Sequence, residues 1–141
     1  MARFCAILFF CLLVEVAALA TPVIIVHETN SLSEIRRLDL KMIYNGDLKI
    51  WAHNNSPILP VHLPSNNPLK KTFLDEVLGV SPTLYTRYFQ AQVSSGKSIR
   101  PPPAAHDEAS VLSYVAKHSG AIAYVSDSLD FKGVRIIKVV D

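Results

Sequence analysis

The chain has 141 residues, half of them hydrophobic, with 14 Lys and Arg against 12 Asp and Glu. That length allows one domain, the hydrophobic fraction excludes a disordered chain, and the near balance of charge excludes a polyanion-binding tail. Nine prolines and five glycines exclude collagen-like and linker-like compositions. The N-terminus reads as an address. Met1-Ala2-Arg3 is a short basic start, Phe4 to Val14 is an unbroken apolar run, and Glu15 ends it. Ala18 and Ala20 place small residues at the −3 and −1 positions of a cut before Thr21. This plan predicts a secretory signal over 1–20, cleaved after Ala20, and an exported domain over 21–141. Eleven apolar residues would span only about 16 Å as a helix, too short for a membrane anchor. Cys5 and Cys11 both fall in the removed segment, so the mature chain has no disulfide, thiol nucleophile or cysteine metal site. Cys11 lacks the small residues that precede a lipidated cysteine, so no lipid anchor is expected.

The remaining chain alternates strand and helix patterns. Val23-Ile24-Ile25-Val26 is a β-branched run that predicts a strand buried on both faces. Ser31 with Glu34 reads as a capping box, followed by Leu32, Ile35, Leu38 and Met42 at helical spacing, with Gly46 as the stop. Ile58 to Leu63 predicts a second strand, and Pro60 within it argues for a sheet edge. Asn67-Pro68 opens a helix bearing Leu69, Phe73 and Val77, which Gly79 ends. Ser81-Pro82 repeats that start ahead of Leu84, Tyr85, Tyr88 and Phe89. Residues 94–105 form a loop rich in Ser, Gly and Pro. His106-Asp107 opens a last helix facing inward through Val111, Leu112 and Val115, closed by Gly120. Ala121–Val125 and Val134–Val140 are the last strands, with a turn region at Asp130–Gly133. The five glycines all stand at element ends, where positive φ is cheapest. Short apolar strands separated by helices predict an α/β sandwich around a mostly parallel sheet of about four or five strands flanked by helices.

Three stretches resemble the substrate-binding proteins of phosphate ABC importers in their short, single-lobe form. Leu38 to Pro60 is similar to that family's helix ending in an Ile-Phe-x-Gly turn, a tryptophan (here Trp51), and a strand entered through proline. Tyr88 to Pro102, with Ser95-Gly96-Lys97, resembles its Phe-x-Gly-Lys and proline loop. Val111 to Val125, ending Ser119-Gly120-Ala121-Ile122-Ala123-Tyr124-Val125, resembles its helix followed by Pro-Gly-Ala-Ile-Gly-Tyr-Val. The resemblance implies one lobe of a type II periplasmic-binding-protein-like fold, a periplasmic location and a non-catalytic role. It implies a weak binder of a small, phosphate-like oxyanion, or an accessory of a transporter or sensor in the membrane. Half a clamshell needs self-association or a second protein to enclose a ligand. The alternative is a ligand-free module that docks to an envelope protein.

The family's phosphate-gripping run resembles Arg-Ser-Asp-Gly-Ser-Gly-Thr, and aligned on Phe73 this chain has Leu63-Pro64-Ser65-Asn66-Asn67-Pro68-Leu69 instead. Leu63 stands at the arginine, Ser65 at the aspartate, and Pro68-Leu69 at the glycine and threonine. What remains is a polar mouth of Ser65, Asn66 and Asn67, with Lys70 a turn inside. A second mouth is Thr29-Asn30-Ser31, and Ser126 follows a strand whose carboxyl end would share the rim. Thr29, Asn30, Ser31, Ser65, Asn66, Asn67 and Ser126 are the seven residues of the candidate ligand site. No metal ligands are expected, since the five histidines show no ligand spacing and solvated or capping roles suffice. Trp51 in a helix-to-strand connection reads as a hydrophobic plug. No Walker loop, dinucleotide fingerprint or Gly-x-Ser-x-Gly elbow occurs, so neither a cofactor nor an enzymatic activity is expected. Mild net charge without a basic stripe gives no reason to expect nucleic acid.

Overall fold

The computed structural model describes residues 21–141, and the expected signal segment with its cleavage after Ala20 lies outside the described residues. The first β-branched run forms β1 (Pro22–His27), and Ile24, Ile25 and Val26 are all buried. A short extended segment, β2 (Glu34–Arg36), leads into α1 (Arg37–Asn45). After Trp51 comes β3 (Leu59–Pro60), then α2 (Pro68–Thr72), which widens without a break into a π-helical turn (Phe73–Leu78). α3 (Pro82–Ser94) and α4 (Glu108–Lys117) flank the proline loop, and β4 (Ala121–Ser126) and β5 (Val134–Val140) complete the sheet.

Among the described residues five strands lie in the order β2-β5-β1-β4-β3. β2 pairs parallel with β5 and β3 parallel with β4, while β1 runs antiparallel between β5 and β4. Four strands therefore point one way, as the mostly parallel reading requires, and the buried β1 runs against them. β4 and β5 do not form a hairpin, because β1 is inserted between them. Residues 127–133 carry the chain back along the sheet to Gly133, whose φ of 75° sets up β5. All six residues of β4 are buried, so both its faces are covered. α4 packs along β4, β1 and β5, and the layer formed by α1, the π-helical turn and α3 packs through Tyr44, Phe73 and Tyr85. β3 is an edge strand, as Pro60 suggested. The chain just beyond it is shielded by the proline loop: His62 N–H donates to Pro103 O and Ala105 N–H to His62 O.

Three local expectations are corrected. The helix after β1 begins at Arg37, not at Ser31, because Glu34–Arg36 gains a parallel pairing with Lys138–Val140 that buries Ile35. The capping box does not form: Asn30 Oδ1 accepts from Leu32 N–H instead. The buried face of α1 is consequently Leu40, Ile43 and Tyr44, and Leu38 is exposed. The third concerns Gly120, whose φ is not positive. Its lack of a side chain serves a close approach, since a Cβ there would lie 2.2 Å from Pro57 O. The stops at Gly46 and Gly79 stand as read, both left-handed.

Candidate functional site

The carboxyl ends of β3 and β4 place Leu63 and Ser126 at one edge of the sheet, and the chain turns there into α2. Asn67 holds the turn, with its Oδ1 accepting from Leu69 N–H at 2.9 Å. Proline at the first helical position and an asparagine before it explain this start locally. Ser65 and Asn66 are exposed on the turn, and Lys70 lies half-buried one residue after Leu69. Ser65, Lys70, Lys71, Pro82, Tyr85 and Thr86 line a pocket of about 80 Å³. Lys71 is paired with Asp75 at 3.2 Å. Among the described residues no carboxylate lies within ion-pair reach of Lys70. Burial alone holds its ammonium below the usual lysine range.

Behind Lys70 the core contains a chain of hydrogen bonds that fixes the wall of this pocket. His62 is buried, with Nδ1 2.8 Å from Tyr124 Oη and Nε2 2.7 Å from Tyr85 Oη. Tyr85 O–H donates to Tyr44 O at 2.7 Å, so its oxygen can only accept from His62, which places the imidazole proton on Nε2. Nδ1 then accepts from Tyr124 O–H, and the Tyr124 oxygen accepts from Leu63 N–H at 3.2 Å. Every donor in the run has an acceptor. Tyr44 O–H completes the group on Val61 O at 3.0 Å. Burial, and then the neighbouring Lys70 ammonium, push the His62 pKa down to about 3. Burial raises the three tyrosines, Tyr44, Tyr85 and Tyr124. The ring is therefore neutral at ordinary pH and is neither a solvated nor a capping histidine, as its sequence context had suggested.

The seven residues expected to form one rim fall into two places. Ser65, Asn66, Asn67 and Ser126 share the edge just described. Thr29, Asn30 and Ser31 follow the far end of β1, because Pro22 is opposite Ser126 whereas His27 is opposite Val134. Five residue steps of strand, about 17 Å, separate the two ends. β1 is the one strand that runs against the others, and this is why its mouth faces away. At that end Thr29 Oγ1 bonds His27 Nδ1 at 2.8 Å, Arg135 donates to Asn30 O, and the buried Asn30 Nδ2 has no partner among the described residues. Ser126 is itself buried; its N–H donates to Glu108 Oε1 at 2.5 Å and its hydroxyl bonds that of Ser128. A carboxylate thus occupies the backbone donor that an anion at Ser126 would need. Lys70, Tyr85 and Thr86 carry more of the pocket than the serines and asparagines. Only Lys70 was legible beforehand, as a cation one turn into the helix. Among the described residues no group of three or more His, Cys, Asp or Glu side chains is placed to hold a metal ion. Trp51 is the buried plug expected, its Nε1–H donating to Gly120 O at 2.9 Å.

No protein-family model matches the sequence, and no curated protein matches it significantly. Solved structures do match. A Clostridium perfringens protein described as a phosphate ABC transporter substrate-binding protein, with phosphate bound, superposes with a TM-score of 0.66 over 85% of this chain at 20% identity. An ABC-type phosphate transport receptor from Vibrio cholerae gives 0.65 over 86% at 19% identity, and PstS from Borrelia burgdorferi gives 0.65 over 85% at 15%. The match covers 45%, 48% and 47% of those chains, so the present chain spans about half their length. The fold is that of one lobe of phosphate ABC transporter substrate-binding proteins.

Proposed function

We propose that this domain is an exported, non-catalytic binder of a small phosphate-like oxyanion, held weakly at the pocket of Ser65 and Lys70. The observation that carries this reading is Lys70, a half-buried ammonium with no carboxylate partner among the described residues, which lines one pocket with Ser65 and Thr86. A partly desolvated cation is stabilised by whatever supplies its counter-charge, and an oxyanion supplies charge and hydrogen-bond acceptors together. The lobe-level likeness to proteins described as phosphate-binding agrees with that chemistry. Asn66 and Asn67 border the anion, and Ser126, closed by Glu108, lies at its margin. A membrane transporter or sensor would be the recipient of such a ligand, and a second copy or another protein would supply a second wall.

The test is thermal unfolding of the purified protein against phosphate, sulfate, molybdate and carboxylates at fixed ionic strength. A ligand at 100 times its dissociation constant adds about 2.7 kcal/mol, a rise of several degrees. The rise is expected with phosphate-like ions and is expected to vanish in Lys70→Met. A flat panel to millimolar concentrations refutes the reading.

That flat result would favour a docking module, for which one feature speaks directly. Ile35, Leu48, Ile50 and Trp51 line an apolar groove of about 280 Å³ beside the edge strand β2, and Ile50 is 54% exposed.

A further inference from the structure

The Lys70 pocket shares part of its wall with a neighbouring space. Lys70, Tyr85 and Thr86 also line a second, larger groove of about 510 Å³, which continues along α3 past Phe89 and Val93 to Pro101. The small pocket is lined by Lys70 with Ser65 and Thr86, whereas the groove beyond is walled by Phe89, a Val93 that is 61% exposed and Pro101, with Gln90 and Ser94 beside them. Its size falls within the range of small-molecule sites. Inorganic phosphate would fill the first space and leave the second to water. Tyr85 forms the wall common to both, and it cannot swing away, because its hydroxyl is bonded to His62 and to Tyr44 O.

We infer that the ligand of this site is an organic oxyanion, a phosphate or phosphonate monoester whose compact apolar substituent lies in the α3 groove over Phe89, Val93 and Pro101. The inference rests on the oxyanion reading above and adds the chemical class of the substituent. Anionic head and apolar tail are both needed: the ammonium orients the ester, and the groove distinguishes one ester from another. Apolar area removed from water then favours a phenyl over a methyl substituent by about tenfold or more.

Titration calorimetry with methyl phosphate and phenyl phosphate, which carry the same ionised head, separates these contributions. Phenyl phosphate is expected to bind about tenfold tighter than methyl phosphate. Val93→Asn, a change at an exposed side chain, brings the phenyl ester down to the methyl ester's affinity, and Lys70→Met abolishes binding of both. Equal affinities for the two esters, or a phenyl preference that persists in Val93→Asn, overturn the substituent assignment and leave the oxyanion site standing. Absence of binding by either ester and by inorganic phosphate overturns both.

Discussion

His62 shows how much a single side chain can carry without touching a ligand. It joins the segment after β3 to α3 and β4 through Tyr85 and Tyr124, residues 23 and 62 positions away in the chain. No spacing rule connects them, so a lone histidine after Pro60 read as solvated. The alternation of a strand would have placed it opposite Val61 and Leu63, but not what it meets there. Its neutral ring donates from Nε2 and accepts at Nδ1, and protonation would leave Tyr124 O–H without an acceptor. The folded pKa of about 3 lies below the free value of 6.5. Above pH 6.5 the ring is neutral in both states and its contribution to stability is complete. As pH falls from there toward 3, the unfolded chain takes up a proton that the folded one refuses. Stability should therefore decline by about 1.4 kcal/mol per pH unit below 6.5. Denaturant melts between pH 7.5 and 5, before most carboxylates titrate, measure this slope. His62→Gln should be less stable at pH 7.5 and nearly flat across that interval, and an equally steep slope in the variant would exclude His62 as its source.

At the level of elements, the signals that proved legible were those with a local cause. Asn67-Pro68, Ser81-Pro82 and Asp107 each place a side-chain oxygen against an amide two or three residues on, and all three starts stand as read. The capping box at Ser31 is equally local, yet it loses to a non-local competitor: the pairing of Glu34–Arg36 with Lys138–Val140 lies about a hundred residues away. The direction of β1 was hidden for the same reason, since a buried β-branched run reads alike whichever way its neighbours point. Gly120 is the instructive case between these extremes. Its position at a strand entrance suggested freedom of φ, whereas a Cβ there would run into Pro57 O, and its own carbonyl accepts from Leu59 N–H and Trp51 Nε1–H. Because the contacting atom is backbone, no side-chain rotation can relieve it. Gly120→Ala should push β3 off β4 and destabilise by about 3 kcal/mol, whereas Gly96→Ala, with open space around it, carries only the strain of its φ of 80°. Chemical denaturation of both variants checks the contrast, and comparable losses would mean that packing around Gly120 yields.

For the molecule as a whole, the composite rim could not be assembled from sequence because its two mouths belong to strands of opposite direction. What the fold brings together instead is the α2 turn, the start of α3 and Lys70, an arrangement that depends on the tertiary path of residues 63–86. The pocket they form is walled by the described lobe and otherwise faces solvent. That geometry limits how an anion can be held. A half-exposed ammonium acts in a medium close to water, so its attraction is modest and open to screening by salt. A site enclosed between two protein walls would be shielded, and its affinity would respond little to added ions. Raising NaCl from about 10 mM to about 150 mM shortens the Debye length from about 30 Å to about 8 Å. Binding of phosphate to the isolated protein is therefore expected to weaken several-fold across that range, at a dissociation constant independent of protein concentration. Calorimetric titrations at two salt and two protein concentrations decide the matter. Affinity that resists salt and grows with protein concentration would mean that a second copy closes over the anion. The one-walled site described here would then be half of the functional one.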